Sequence, residues 1–133
     1  MLALVQEVVM TVYSNFNAQR PRHIWPGIDA RVVNGERLTM ALVDLAPNTP
    51  LQEHHHPNEQ VGFVVQGSLT FVIGDETRTL GPGETYNISS DVPHSGMTGP
   101  DGCVVVDVFA PVRGDWDNAP DAEPGPSSWR MGG

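Results

Sequence analysis

Three consecutive histidines, His54-His55-His56, lie inside the chain in the stretch Glu53-His54-His55-His56-Pro57-Asn58-Glu59-Gln60. A run at this place is not a terminal tag. In an extended backbone successive side chains alternate between faces, so His54 and His56 share one face and His55 points away. Two imidazoles on one strand face, about 7 Å apart along the backbone, can close on one metal ion. Imidazole clusters are typical ligands of zinc, iron, nickel and copper. Gln60 follows the turn residues Pro57-Asn58 and opens an apolar run, and His94 follows the turn signal Asp91-Val92-Pro93. The expected site holds one divalent ion (Zn, Ni, Mn, Fe or Co) through His54, His56, Gln60 and His94. Glu59 is the rival to Gln60, one residue out of register and assigned to the surface or to a supporting role.

Around these residues the chain alternates short apolar runs with Gly and Pro. Ile28 to Val33 leads to Asn34-Gly35, the strongest hairpin signal in the sequence. Arg37 to Leu45 pairs back, with Leu38, Met40 and Leu42 alternating against Thr39, Ala41 and Val43. Further strands are expected at Val61 to Val65, Leu69 to Ile73 after a turn at Gly67, Thr77 to Leu80, Tyr86 to Ile88 and Cys103 to Phe109. No segment has a convincing helical period. Many short strands with Gly and Pro punctuation indicate an all-β sandwich or jelly roll.

The spacing His54-x-His56-x3-Gln60-x6-Gly67 resembles the first motif of the cupin superfamily, with Gln where most members have Glu. Gly81-Pro82-Gly83-Glu84, followed by Val92-Pro93-His94, resembles the second. The resemblance covers roughly residues 28 to 113 and implies a single jelly-roll barrel with the metal inside. Residues 27–113 are then the barrel. Residues 1–26 precede it as an apolar segment, Leu2 to Val12, read as a strand at a dimer interface, and a loop from Asn15 to Pro26. Residues 114–133 form a Pro- and Gly-rich extension, anchored by Trp116 and Trp129.

An Asp in the middle of the apolar run Val104-Val105-Val106-Asp107-Val108-Phe109 is costly unless paired or neutral. By alternation Val105, Asp107 and Phe109 share one face, and Val104, Val106 and Val108 the other. The all-Val face needs cover, from a second sheet or a second subunit. Asp107 then faces the cavity, where burial raises its pKa and suits it to proton transfer. The set His54, His56, Gln60, His94 with Asp107-x-Phe109-x3-Arg113 is similar to the cupins of pectin and alginate breakdown. Those enzymes linearise 4,5-unsaturated monouronates. The resemblance implies Asp107, Phe109 and Arg113 as catalytic residues, with Arg113 holding a substrate carboxylate and Phe109 forming an apolar wall.

Three readings follow: a metal-dependent enzyme opening the ring of a carboxylated sugar, a cupin dioxygenase with a redox metal, and a non-catalytic binding module. The charge pattern, net −9 with 16 acidic against 7 basic residues, argues against nucleic acid as a partner. No run approaches the ~20 apolar residues of a membrane helix, and the amino terminus lacks the basic start of a signal peptide. The one cysteine, Cys103, lies in an apolar run and is expected as a small buried side chain. A small-molecule partner, a homodimer and a cytoplasmic setting complete the expectations. Tyr86 is a core or cavity residue, Met40 and Met97 core or rim fillers, Gln66 a neighbour of the Gly67 turn, and His23 a surface residue beside Trp25 at the rim.

Overall fold

The structure is a computed structural model that describes residues 12–130. The interface strand expected over Leu2 to Val12 lies almost wholly outside the described residues. The strands are β1 Arg22–Trp25, β2 Ile28–Asn34, β3 Thr39–Leu45, β4 Pro50–His54, β5 Glu59–Ile73, β6 Glu76–Leu80, β7 Thr85–Ile88 and β8 His94–Ala110. Pairing is antiparallel throughout, in the order β1-β2-β3-β8-β5-β6, with β4 on β8 and β7 on β5. This is the jelly roll that the strand pattern indicates. Two short 3-10 helices, Phe16–Ala18 and Gly114–Asn118, are the helical elements among the described residues, so none is long and apolar enough to cross a membrane.

The two long strands close the barrel. The first half of β5 pairs with β7 and with the last part of β8, where Gln60 faces Phe109 and Gly62 faces Asp107. Its second half pairs with β6 and the start of β8, where Ile73 faces His94. Each long strand therefore serves both sheets of the barrel.

Three expectations are corrected here. Gly67 does not turn the chain. It lies at a bulge within the single strand β5, with φ +80, and a Cβ there would strike the carbonyl oxygen of Gly102. Apolar runs separated by one Gly read as two strands, but the Gly only bends one strand between sheets. Nor does the last strand begin at Cys103, since β8 opens at His94, just after the turn at Asp91. The Gly-rich stretch after it still forms a ladder because β5 supplies the partners, from Ile73↔His94 to Leu69↔Thr98. Finally, part of the loop expected over Asn15 to Pro26 is strand β1, paired to β2 through Arg22↔Ala30.

The core is Ile28, Ala30, Ala41, Val43, Leu45, Val64, Leu69, Phe71, Leu80, Tyr86, Ile88, Cys103, Val105 and Phe109. Cys103 is buried, as expected. Met40 is half-buried, but Met97 is exposed rather than a filler. On β8 the alternation holds: Val105, Asp107 and Phe109 point inward, while Val106 and Val108 are half-buried on the outer face. Beside these two on the neighbouring β5, Val61 and Phe63 are exposed.

Val104 is an exception, since it is buried on the outer face. It pairs with Asp44 and Gln66, and the carboxy-terminal extension crosses the sheet at these residues. Ser127 Oγ and Ser128 N donate to Asp44 Oδ1 at 2.9 and 2.8 Å. Gln66 Nε2 donates to Ser128 O at 2.9 Å, and Arg130 N donates to Gln66 Oε1 at 3.0 Å. Buried Arg31 pairs with Asp44 at 2.8 Å and donates to Gly125 O. The hold is polar here, and Trp129 is only half-buried. Upstream, Arg22 donates to the carbonyls of Trp116 and Asp117, and His23 N to Pro120 O. The extension thus covers the β1 edge, which would otherwise expose unpaired backbone groups.

Asp44 carries this arrangement, because its removal leaves the Arg31 guanidinium buried without a carboxylate. Asp44→Ala is expected to cost about 3 kcal/mol, the low end for breaking a buried pair, since Gly125 O remains. Ser127→Ala should cost about 1 kcal/mol, one hydrogen bond. Urea denaturation of both variants checks the ratio, and equal losses would place the weight on the extension instead of on Arg31.

Candidate metal centre and cavity

His54 ends β4, and its register partner across the ladder is His94, the first residue of β8. His56 lies just past the strand, in the loop to β5, so strand alternation carries it only part of the way. The loop does the rest. Asn58 Nδ2 donates to Pro111 O at 2.5 Å, and Asn58 O accepts from His56 Nδ1 at 3.0 Å. The three rings meet, with centroid separations of 4.1 Å for His54–His94, 5.0 Å for His56–His94 and 5.8 Å for His54–His56. One nitrogen from each lies within 4.8 Å of the others. His55 points away, exposed beside Asp91 at 3.4 Å.

The hydrogen bonds around the rings fix their tautomers. In each ring Nδ1 meets a backbone carbonyl: Gln52 O at 2.8 Å for His54, Asn58 O at 3.0 Å for His56 and Val92 O at 2.9 Å for His94. A carbonyl only accepts, so each Nδ1 carries the proton and each Nε2 presents a lone pair. His94 Nε2 is buried with no hydrogen-bond partner among the described residues. His56 Nε2 faces Gln60 Oε1 at 3.1 Å. Gln60 lowers the Asp107 pKa as a hydrogen-bonding neighbour, which an amide does through its NH2 group, and its oxygen lies toward His56. Two acceptors then face each other across a short gap, and a cation between them removes the conflict. This donor set, three nitrogen lone pairs and an amide oxygen, fits a divalent metal ion.

Burial is the first cause that lowers the pKa of all three imidazoles, taking His94 down to about 4. They stay neutral, as ligands must be. Glu59 is exposed on the first residue of β5, while Gln60 is buried and turned inward.

The cavity beside the imidazoles has a volume of about 440 Å³. Asp107 is 5% exposed on its wall, and burial pushes its carboxyl up to about 6 against the opposing effects of Tyr86, Gln60 and Arg113. Tyr86 Oη donates to Asp107 Oδ1 at 2.6 Å. Room for this pair depends on Gly62, across the ladder. A Cβ there would strike Asp107 Oδ1, lie 2.7 Å from Val106 O and lie 2.8 Å from Tyr86 Cε1. Phe109 packs edge-on against His56 at 5.8 Å and Trp116 at 5.1 Å.

Arg113 is buried with its guanidinium 4.8 Å from the Phe109 centroid and 4.4 Å from that of Trp116. It also forms a two-pronged pair with Asp115, which holds the Asp115 carboxyl below its ordinary range. Trp25 stands edge-on to His54 at 4.8 Å, and both it and His23 line the mouth. His23, expected on the surface, is half-buried and bonded to Asp29 at 3.1 Å.

All seven residues singled out in the sequence therefore line this one cavity. Sequence reasoning did not foresee the bonds of Tyr86 to Asp107, Asn58 to the 111–112 backbone, or Asp115 to Arg113. Arg113-x-Asp115 was the one available signal, a charge pair at short spacing.

A cupin domain family model matches residues 41–109, which hold the three imidazoles, Gln60, Asp107 and Phe109. The chain belongs to the cupin family. Among curated proteins this cupin is 29% identical over 92 residues to the pectin degradation protein KdgF of Dickeya dadantii (strain 3937), across 68% of this chain and 84% of that protein. Among solved structures it resembles KdgF from Halomonas sp., with TM-score 0.73 and 23% identity over 80% of this chain and 98% of that one. It also resembles the polyketide cyclase RemF of Streptomyces resistomycificus, with TM-score 0.67 and 24% identity over 77% and 80% of the two chains. These two likenesses establish the fold. Asp115, Trp116 and Arg113 lie beyond the matched family residues.

Gly62→Ala is expected to destabilise this cupin by about 1–3 kcal/mol, the usual cost of overpacking a filled interior. Gly114→Ala, where a Cβ meets nothing within 4 Å, should change stability little. Urea denaturation of the two variants reads the difference directly. A stable Gly62→Ala protein would mean that Asp107 and Tyr86 have room to move.

Proposed function

We propose that this cupin is a metal-dependent enzyme that opens the ring of a 4,5-unsaturated monouronate, or of a closely similar carboxylated sugar. The observation that carries the reading is Asp107, a buried carboxyl with a raised pKa lining the same cavity as three clustered imidazoles. The likeness to KdgF, a pectin degradation protein, supports a uronate over other small acids. His54, His56, Gln60 and His94 would hold one divalent ion. Such an ion supplies Lewis acidity toward a substrate oxygen, undiminished by any protein carboxylate among its ligands.

The remaining work falls to the chain's own side chains. Arg113 binds the substrate carboxylate through its planar fork. Phe109 and Trp116 flank that contact with apolar surface and align the ring. Asp107, as carboxylate, takes the proton of the anomeric hydroxyl while the bond from C1 to the ring oxygen breaks. C1 becomes an aldehyde, and the ring oxygen leaves as the enol oxygen at C5. Return of a proton to C4 gives the 5-keto product, so the step is an isomerisation with no net loss of atoms. Tyr86 and Gln60 hold Asp107 in place. A homodimer formed through the exposed Val61 and Phe63 beside Val106 and Val108, in a cytoplasmic setting, completes the proposal.

Purified protein should contain about one divalent ion per chain. It should consume an unsaturated monouronate, followed by loss of the ultraviolet absorbance of the conjugated double bond. Asp107→Asn should keep fold and metal but lose roughly 10²–10⁴ in rate, the usual worth of a positioned proton-transfer group. Unchanged turnover per metal-loaded molecule would remove Asp107 from the mechanism. An inert wild-type protein that consumes oxygen with another substrate would favour the dioxygenase reading.

The pH profile adds a second check. Asp107 acts as a base only when ionised, and its pKa is raised to about 6. The rate should be level above that pH and fall about tenfold per unit below it. Metal content measured at each pH separates this limb from loss of the ion. A limb at the ordinary carboxylate range, near pH 4, would contradict the assignment.

A further inference from the structure

Arg113 is the cationic side chain of the cavity, yet the Nε and Nη2 edge of its guanidinium is already filled. Asp115 Oδ1 accepts from Arg113 Nε at 3.0 Å, and Asp115 Oδ2 accepts from Nη2 at 2.8 Å. This side-on, two-pronged pair is one of the geometries in which a guanidinium receives a carboxylate. The two partners differ sharply in their surroundings. The Arg113 side chain is 8% exposed, and that of Asp115 is 63% exposed.

Arg113 is held without Asp115. Its guanidinium lies against the rings of Phe109 and Trp116, and its backbone N donates to Thr39 Oγ1 at 2.9 Å. Asp115 sits on the short 3-10 helix Gly114–Asn118, outward of the matched cupin residues. Its carboxylate can turn into water without breaking any other side-chain bond, whereas Arg113 has no comparable freedom. Trp116 from the same helix, together with Ala119 and Pro120, forms part of the cavity lining, so the extension shapes the place where the fork opens.

We infer that Asp115 is an internal stand-in for a ligand carboxylate, occupying the Arg113 fork until the carboxylate of a bound ligand exchanges with it. It is then a specificity-determining residue. A ligand with a free carboxylate exchanges one two-pronged pair for another and suffers no unpaired buried cation. A neutral ester or amide of the same shape cannot release Asp115 and gains nothing from Arg113. Discrimination arises from competition as much as from attraction. The inference rests on the proposed role of Arg113 as the carboxylate-binding group.

The test uses metal-loaded protein and two probes, acetate as a bare carboxylate and D-galacturonate as a hexuronate. Binding is followed through the indole N–H resonance of Trp116, present in every variant. Asp115→Asn should bind both probes roughly three- to tenfold more tightly than the wild type, the scale of a partly exposed ion pair. In an Arg113→Ala background the same change should give no gain. Where Arg113→Ala fails to fold, Arg113→Gln, closer in size, takes its place.

Weaker or unchanged acetate binding in Asp115→Asn overturns the inference, because Asp115 then merely aligns Arg113. A gain that persists without Arg113 also overturns it, as the effect is then only the loss of a nearby negative charge. Absence of any Arg113-dependent acetate binding overturns it too. If acetate shows the gain while galacturonate binds no variant, the stand-in role holds and the uronate reading fails. If the wild type turns over an unsaturated uronate but acetate shows no gain, the function stands and the inference falls.

Discussion

The ladder between β5 and β8 is the constraint on which the rest depends. It runs nearly the length of both strands and sets the register of everything that faces the cavity. At one end it places His94, and at the other Phe109 opposite Gln60 and Asp107 opposite Gly62. Side chains alternate strictly between faces along a strand, so a slip of one residue would turn this whole set outward. The bulges at Val64/Gln66 and Gly67/Leu69 absorb the bend that lets one strand serve both sheets.

Desolvation gives the cavity its electrostatic character. It lowers the three imidazole pKa values and raises that of Asp107, since burial disfavours whichever form is charged. The imidazoles therefore keep their lone pairs, and their tautomers are set by three backbone carbonyls. Asp107 is drawn toward the neutral range where proton transfer in both directions is easy. Arg113 cannot lose its charge in this way, and it is paired by Asp115 and covered by two aromatic rings.

The carboxy-terminal extension links the outer sheet surface to the cavity. One part ties down Asp44, Arg31 and Gln66 across the outer face. Another lines the cavity through Trp116 and reaches β1 through Arg22. Burial of Val104 follows from this wrapping, so a face that reads as needing a partner subunit is partly covered by its own chain.

Much of the site is legible in the sequence, because it rests on strand parity and spacing. Parity alone separates His54 from His55 and groups Val105, Asp107 and Phe109. A buried Asp in an apolar run is conspicuous because its cost demands a partner. Short-range periodicity in the sequence thus pointed to an all-β sandwich or jelly roll, to His54 with His56 and to the inward acid, while the single barrel and the full ligand set with His94 came through the resemblance to the cupins. Only the tertiary structure decided that Gly67 bends a strand instead of turning it, that Tyr86 holds Asp107, and that Asp115 fills the Arg113 fork. The first depends on which strands pair across the barrel. The others depend on side chains meeting from distant strands or leaving a loop, where no local period says which way they point.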